Sequence, residues 1–525
     1  VTTTTPDEHT EPAQDSAPPT RMSRRNVLQA LSGLMMGLFV SILASTIVSN
    51  ALPRIIADLH GSQSVYTWIV TTELLAMTAT TPLWGKLADL FSKKLLMQLS
   101  LCMFVAGSLI AGFTPNVELL ILSRAVQGIG AGGVTALALI VMAAMIPPRE
   151  LGRYSGIFGA VFGVGTIAGP LIGGVLVDTS WLGWRSCFLV GVPFTLIAIF
   201  LLQRTLNLPT TKKTVKIDWL GAFLITAGVS TLLIWSTLAG DKFAWASGWT
   251  AGLVTLAVVL LVLFVLTEAR AAEPIIPLRV FRNRTVTLTT LASALVGVAM
   301  FGGTVFLSQY FQVALGKSPT VAGLMSLPLI FGLLGSSTVA GAMITKYGRW
   351  KAYLLAGGVI MVAGMGLLGT IDARTSVVML SLYMFVLGVG VGLLMQNLVL
   401  AAQNDVPARD LGTTTSVLTF FRSLGGAIGV SALGAVLASR VTSLLSEKLG
   451  TGGGDSSVPD VSALPPAVLR VVQDVYGEAT ADLFLIGAPI ALLALFAVLF
   501  VKEKPLATLS GDERLAREQA GLGSH

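Results

Sequence analysis

Histidine and cysteine are almost missing from these 525 residues: His9, His60 and His525, and Cys102 and Cys187, are all there is. No histidine falls within an apolar run, which removes the usual proton shuttle and metal ligand from any buried site. The cysteines sit in separate apolar runs, near opposite ends of their segments, so neither a disulfide nor a metal site is expected. No phosphate-binding loop of the GxxxxGK(S/T) form occurs, which argues against ATP as an energy source. No cluster of Asp, Glu, His or Cys gathers at one face, which argues against a membrane-embedded enzyme and leaves no cofactor implied. Charge is scarce too: 12% of residues are charged, where a soluble domain carries about 25%.

What fills the chain is hydrocarbon. Hydrophobic residues make up 54% and the mean hydropathy is +0.80, the profile of an all-α polytopic membrane protein. Fourteen runs are long enough to span: 27–51, 65–86, 95–114, 118–142, 153–178, 186–204, 219–239, 247–267, 287–311, 321–345, 352–370, 376–400, 412–438 and 480–501. With the amino terminus inside, 24 of the 34 Lys and Arg residues fall on the cytoplasmic side and eight outside. The net charge of +7 is therefore a topology signal, and no nucleic-acid partner is implied. Residues 1–25 form a polar, proline-rich cytoplasmic tail, disordered by composition and without the features of a signal peptide. The outer segment 439–479, with its TGGGDSSVPD stretch, is a flexible loop, and 503–525 is a second cytoplasmic tail.

The chain also repeats itself. A shift of 260 residues lays QGIGAGG (127–133) over LGVGVGL, pairing Gly128, Gly130 and Gly132 with Gly388, Gly390 and Gly392. The same shift pairs Arg149 with Arg409 and Gly152 with Gly412, and a shift of 256 aligns GKLADLFSKK (85–94) with GAMITKYGRW. Two related six-helix bundles follow, 26–205 and 286–502, joined by a linker, 206–285, that carries two extra membrane helices. Parallel repeats of this kind place a site at their interface near the bilayer midplane, as a carrier requires.

GKLADLFSKK resembles the loop 2–3 signature of the major facilitator superfamily through Gly85, Leu87, Asp89, Lys93 and Lys94; Leu90 and Ser92 depart from it. Arg124, Gln127 and Gly128 resemble the signature of the fourth span, and Gly156, Gly165, Gly169, Pro170, Gly173 and Gly174 resemble that of the family's exporters. WRSCFLVGVPF, EPIIPLRVFRNR and FFRSLGGAIG are similar to stretches of the fourteen-span drug:proton antiporter branch. The resemblance implies the major facilitator fold, a location in the cell membrane, and export of amphiphilic small molecules by proton antiport, with a monomer expected. It also implies that Asp89 meets a helix amino terminus near Gly412 in the opposite half, latching the inner side. Gly85, Asp89, Lys93, Lys94, Gly165, Gly169, Pro170 and Gly173 are then the conformational switch, the glycines shaping the interface that moves.

Charge inside the membrane is where coupling belongs. Glu73 lies about 12 Å below the outer face and Arg124 about 9 Å, so the two share a level; Arg422 lies about 15 Å from the inner face. The branch usually has an aspartate in its first span, where this chain has Ala44. Glu73, with Arg124, is the candidate to replace it as the titratable group; a purely structural ion pair is the alternative. Candidate substrate contacts are Trp68, Gln309, Tyr310, Gln312, Gln396, Asn397, Phe420 and Arg422. Export of one lipid, metabolite or siderophore with weak proton coupling, or none, is the competing reading.

Overall fold

The computed structural model describes residues 24–59, 63–179, 182–206, 218–239, 243–271, 274–317, 319–449 and 465–519. The tail 1–23 and most of the outer loop, 450–464, lie outside the described residues. The chain is all-helical. A first set comprises α1 (Arg24–Asp58), α2 (Gln63–Leu90), α3 (Lys93–Gly112), α4 (Val117–Met145), α5 (Pro148–Asp178), and the short α6 (Ser186–Leu189) running into α7 (Gly191–Thr205). Next come α8 (Trp219–Leu238) and α9 (Gly248–Glu268). A second set holds α10 (Arg284–Val313), α11 (Pro319–Met325) leading into α12 (Leu327–Tyr347), α13 (Lys351–Leu368), α14 (Val377–Asn404), α15 (Leu411–Leu449) and α16 (Pro466–Leu499). A short amphipathic helix, α17 (Gly511–Gln519), follows.

Local chemistry sets the helix starts. Asn116 Oδ1 accepts from Leu119 N at 2.9 Å to cap α4, and Asp218 Oδ1 accepts from Gly221 N at 2.8 Å to cap α8. Asn283 caps α10 through Thr285 N at 2.9 Å and Val286 N at 3.3 Å. Such caps satisfy the orphan amides that a helix start leaves. Among the described residues, twelve helical segments are long and apolar enough to cross a membrane. The expected spans 65–86 and 153–178 lie in α2 and α5, outside that twelve; α2 carries Glu73 and a series of threonines there.

Packing repeats between the sets. α1 packs against α5 and α7, and α2 and α3 against α4; in the second set α10 packs against α15 and α16, and α12 and α13 against α14. Glycines bring these helices close. A β-carbon on Gly128 or Gly132 would run into the backbone carbonyls of Glu73 or Met77, and one on Gly388 or Gly392 into those of Leu329 or Leu333. The contacted carbonyls are themselves 256 residues apart, so the repeat extends to the packing partners. The sets meet along two seams, α2 with α15 and α5 with α12, while α8 leans on the first of them. α9 shows Val258, Val262 and Leu266 on its outer face, each about half exposed, as a lipid-facing helix does.

Candidate functional site

Within the first set lies a buried polar network. Arg124, 1% exposed, donates to Glu73 Oε2, and Ser45 Oγ donates to the same oxygen at 3.3 Å. Arg124 Nη1 donates to Gln127 Oε1 at 2.6 Å, and Gln127 Nε2 donates to Ser108 Oγ at 2.9 Å. Four helices thus converge on one ion pair. Ser45 adjoins Ala44, so the carboxylate of α2 reaches α1 beside the position where the aspartate is missing. A single charge at the bilayer centre costs about 2.5–3.5 kcal/mol on insertion scales, so the pairing removes most of that penalty.

At the inner end of the α2–α15 seam, Asp89 of α2 sits on the first turn of α15. Its carboxylate accepts from Gly412 N at 3.0 Å, from Thr413 N at 2.9 Å and from Thr413 Oγ1 at 2.5 Å. These are orphan amides at the positive end of a 39-residue helix. The fit leaves no slack: a β-carbon on Gly85 would strike Ser416, and one on Gly412 would strike Asp89. Lys94 Nζ turns away, donating to Gln203 O at 2.7 Å on the carboxyl-terminal turn of α7.

Lys93 lies 3.7 Å from Asp512 of α17. The segment leading into α17 holds the second set through Glu503, which accepts from Trp350 N at 2.8 Å and Lys351 N at 3.1 Å. A capping box, Ser510 N to Glu513 Oε2 at 2.7 Å and Glu513 N to Ser510 Oγ at 3.3 Å, starts the helix. Arg514 then donates to the carbonyls of Gln403 and Val406, and Glu518 accepts from Ala408 N at 3.1 Å. Gly511 packs on the inner end of α4, at Ala143 and Ala144. α17 is therefore a strap across the face that holds the latch, firmly tied to the second set and loosely to the first. Burial raises the Asp512 carboxyl above its ordinary range against the pull of Lys93, which keeps that tie weak.

Above the latch the same seam opens into a cavity of about 890 Å³. Leu74 and Leu75 of α2, Leu233 and Ser236 of α8, Phe301 of α10 and a long stretch of α15 line it. On α15 the lining runs from Ser423, 8% exposed, to the exposed Ser439 and Ser443. One end is therefore blind and the other open. Six hydroxyls punctuate its wall, Ser236, Ser423, Ser431, Ser439, Thr442 and Ser443, and among the described residues no charged group lines it.

The structure places the other expected residues apart from the seam and the cavity. Gly165, Gly169 and Gly173 face α1 of their own set, against Ile42, Thr46 and Ile47, with Thr46 Oγ1 donating to Gly165 O at 3.2 Å. They pack within one bundle, and among the described glycines of α5 it is Gly163 that meets α12, against Ile330 and Leu334; of Pro170 only the helical backbone is described. None of the eight candidate substrate contacts lines the cavity. Tyr310 is fully buried and donates to Asp372 O at 2.6 Å, Asn397 donates to Leu393 O at 2.7 Å, and Gln312 donates to Ser308 Oγ at 3.1 Å. Their polarity is spent locally. Phe420 packs edge-on to Phe421 at 5.2 Å among Leu75, Ala79 and Ile275. Trp68, Gln309 and Gln396 are half-buried away from it. Arg422, 6% exposed, stands one residue before the deepest lining residue. The hydroxyl stripe of α15 was there to find as serines recurring every eight residues beyond Arg422, at Ser423, Ser431 and Ser439.

The Major Facilitator Superfamily model matches residues 34–430. The chain belongs to the major facilitator superfamily. Curated relatives include the multidrug transporter protein MdtP of Bacillus subtilis, 35% identical over 85% of this chain and 80% of that protein. Multidrug resistance protein 3 of the same organism is 30% identical over 91% of this chain and 95% of its own length. Efflux pump dotC of Dothistroma septosporum is 32% identical over 94% and 87%. Among solved structures, the proton:xylose symporter XylE superposes with a TM-score of 0.62 at 15% identity, over 94% of this chain and 99% of that one. These comparisons support multidrug efflux within the superfamily.

Proposed function

We propose that this superfamily member exports amphiphilic small molecules from the cytoplasm by alternating access between its two helix sets. In this reading the chain is a monomer in the cell membrane with fourteen spans and both termini cytoplasmic. Residues 26–205 and 286–502 are the rocking bodies, and 206–285 is the insert. The observation that carries it is the contrast along one seam: Asp89 ties the inner end shut while the cavity above reaches exposed residues at the outer end. That arrangement fits an outward-facing, substrate-releasing state. Breaking the latch frees α2 from α15 at the inner face and turns the same cavity toward the cytoplasm. Proton antiport would run through Glu73, the carboxylate that Ser45 and Arg124 hold: protonation releases Arg124 and loosens α2 from α4.

The second reading, export of one lipid, metabolite or siderophore with weak or no proton coupling, is favoured by that same ion pair. The Glu73 carboxylate is held in a buried pair with Arg124, and Ala44 offers no substitute acid. Efflux of a fluorescent amphiphile from loaded vesicles, with and without a protonophore, tests both. Efflux that the protonophore abolishes, and that Glu73→Gln uncouples, supports antiport. Efflux unchanged by either supports the second reading, and no efflux across a chemically varied panel removes the exporter proposal.

A further inference from the structure

Glu73, Arg124 and Arg422 are charged side chains deep in the described helices, and the first two neutralise each other. Arg422 is left. The residue is 6% exposed and its guanidinium has no hydrogen-bond, ion-pair or ring partner among the described residues. An arginine cannot shed its charge as a lysine can, so a buried one needs an anion or a wet cavity. Arg422 adjoins one. The cavity's lining on α15 begins at Ser423 and continues through Gly426, one turn above Arg422.

A second orphan lies at the same depth on the facing helix. Thr78 of α2 is fully buried and its hydroxyl has no hydrogen-bond partner. It is eleven residues above Asp89, about 16 Å along α2, while Arg422 is ten residues above Gly412, about 15 Å along α15. Asp89 and Gly412 touch, so these two levels coincide. Thr78 follows Leu74 by four residues and precedes Gly85 by seven, which puts it on the stripe of α2 that faces α15. At the level of the blind end, next to its lining, stand a cation without a partner among the described residues and an unused hydroxyl, one from each helix set.

We propose that this blind end is an anion site, and that the cavity takes amphiphiles whose carboxylate or phosphate head meets Arg422 and Thr78 while the tail lies along α2, α8 and α10. This rests on the exporter reading and narrows its substrate class. The hydroxyls of α15 serve as polar rungs for the head on its way to the open end, where Ser439 and Ser443 are exposed. Binding charge against charge across the seam also favours the closed inner gate, because the ligand joins helices of both sets.

The test is binding to the purified full chain in phosphatidylcholine nanodiscs, using dansyl-labelled undecanoic acid, its methyl ester and a quaternary-ammonium analogue. Dansyl emission excited through tryptophan is the readout. The acid is expected to bind about tenfold or more tightly than the ester, and the cation weakest. Arg422→Gln should erase that preference and leave the ester unchanged, while Thr78→Val should weaken the acid a few-fold. Ala435→Phe, which fills the cavity from its side, should weaken acid and ester together. The comparison of probes on the unaltered chain stands even if Arg422→Gln does not fold. Displacement by phosphatidylglycerol identifies a lipid headgroup as the anion, and displacement by lauric acid a free lipophilic acid; either supports the site. Equal binding of the three probes, an acid preference that survives Arg422→Gln, or binding indifferent to Ala435→Phe overturns it. If the chain exports amphiphiles yet binds the three probes alike, the anion site falls and the exporter reading stands. If acid binding holds but nothing is exported, the reverse is true.

Discussion

The two seams that join the helix sets are built differently. Along α5–α12, Gly163 lies against the side chains of Ile330 and Leu334. Along α2–α15 the contact is polar at the inner end and opens into a cavity beyond it. The repeat makes the difference instructive, because it pairs each polar group with a position that does not share its role. Asp89 corresponds to Thr345, whose hydroxyl donates to Gly341 O of its own helix at 2.9 Å. Glu73 and Arg124 correspond to Leu329 and Met384. The repeat gives two like scaffolds, and the buried ion pair and the latch carboxylate lie on one of them. An apolar seam slides with little directional preference, whereas a charge-assisted latch gives one state a defined advantage.

Exchanging the buried pair for its repeat counterpart has the largest expected effect. Glu73→Gln strands Arg124 in the interior and should cost about 3–5 kcal/mol, read as a lower unfolding midpoint. Glu73→Leu combined with Arg124→Met, which copies Leu329 and Met384, should recover stability to within about 1 kcal/mol. A double variant no more stable than either single one would mean that the halves are not interchangeable here. Its pH-driven efflux then separates a proton-carrying pair from a structural clamp.

Removing the latch comes next. Asp89→Asn keeps one acceptor and loses the charge, which should weaken the closed inner gate by about 1–3 kcal/mol. Labelling of a cysteine at the buried Thr414 by a cytoplasmic thiol reagent should rise about tenfold. Overpacking can then set one seam against the other. Gly85→Val should open the latch and raise the same labelling, while Gly163→Val should cost about 1–3 kcal/mol of stability and leave labelling unchanged. Labelling that rises equally in both would erase the distinction. The smallest effect belongs to the strap: Asp512→Asn breaks a pair that is 16–18% exposed, worth no more than about 1 kcal/mol, so efflux should change less than twofold.

Some of this architecture could be read without coordinates, and the reasons are physical. Depth arithmetic along two helices put Glu73 level with Arg124, because a fixed rise per residue converts sequence position into membrane level. Glycine spacing revealed the repeat because helix packing tolerates nothing larger at those positions. Rotation about the helix axis was harder. Gly165, Gly169 and Gly173 need a close neighbour, but their spacing does not say whether it is α1 or α12. That Asn397 and Tyr310 donate to backbone carbonyls could not be read, because such a partner leaves no trace in sequence. The strap at α17 did carry a signal, the Ser510-to-Glu513 capping box, in a segment whose polarity made it read as a tail.

The most direct test is a pair of spin-label distances in a background without Cys102 and Cys187. One pair, at Phe91 and Arg409, spans the inner end of the α2–α15 seam; the other, at Leu74 and Ser439, spans its outer end. In Asp89→Asn the inner distance should lengthen while the outer one shortens, as two rigid bodies rocking about a common centre require. Inner and outer distances that both stay at their unaltered values, in a folded variant with the latch removed, would contradict it.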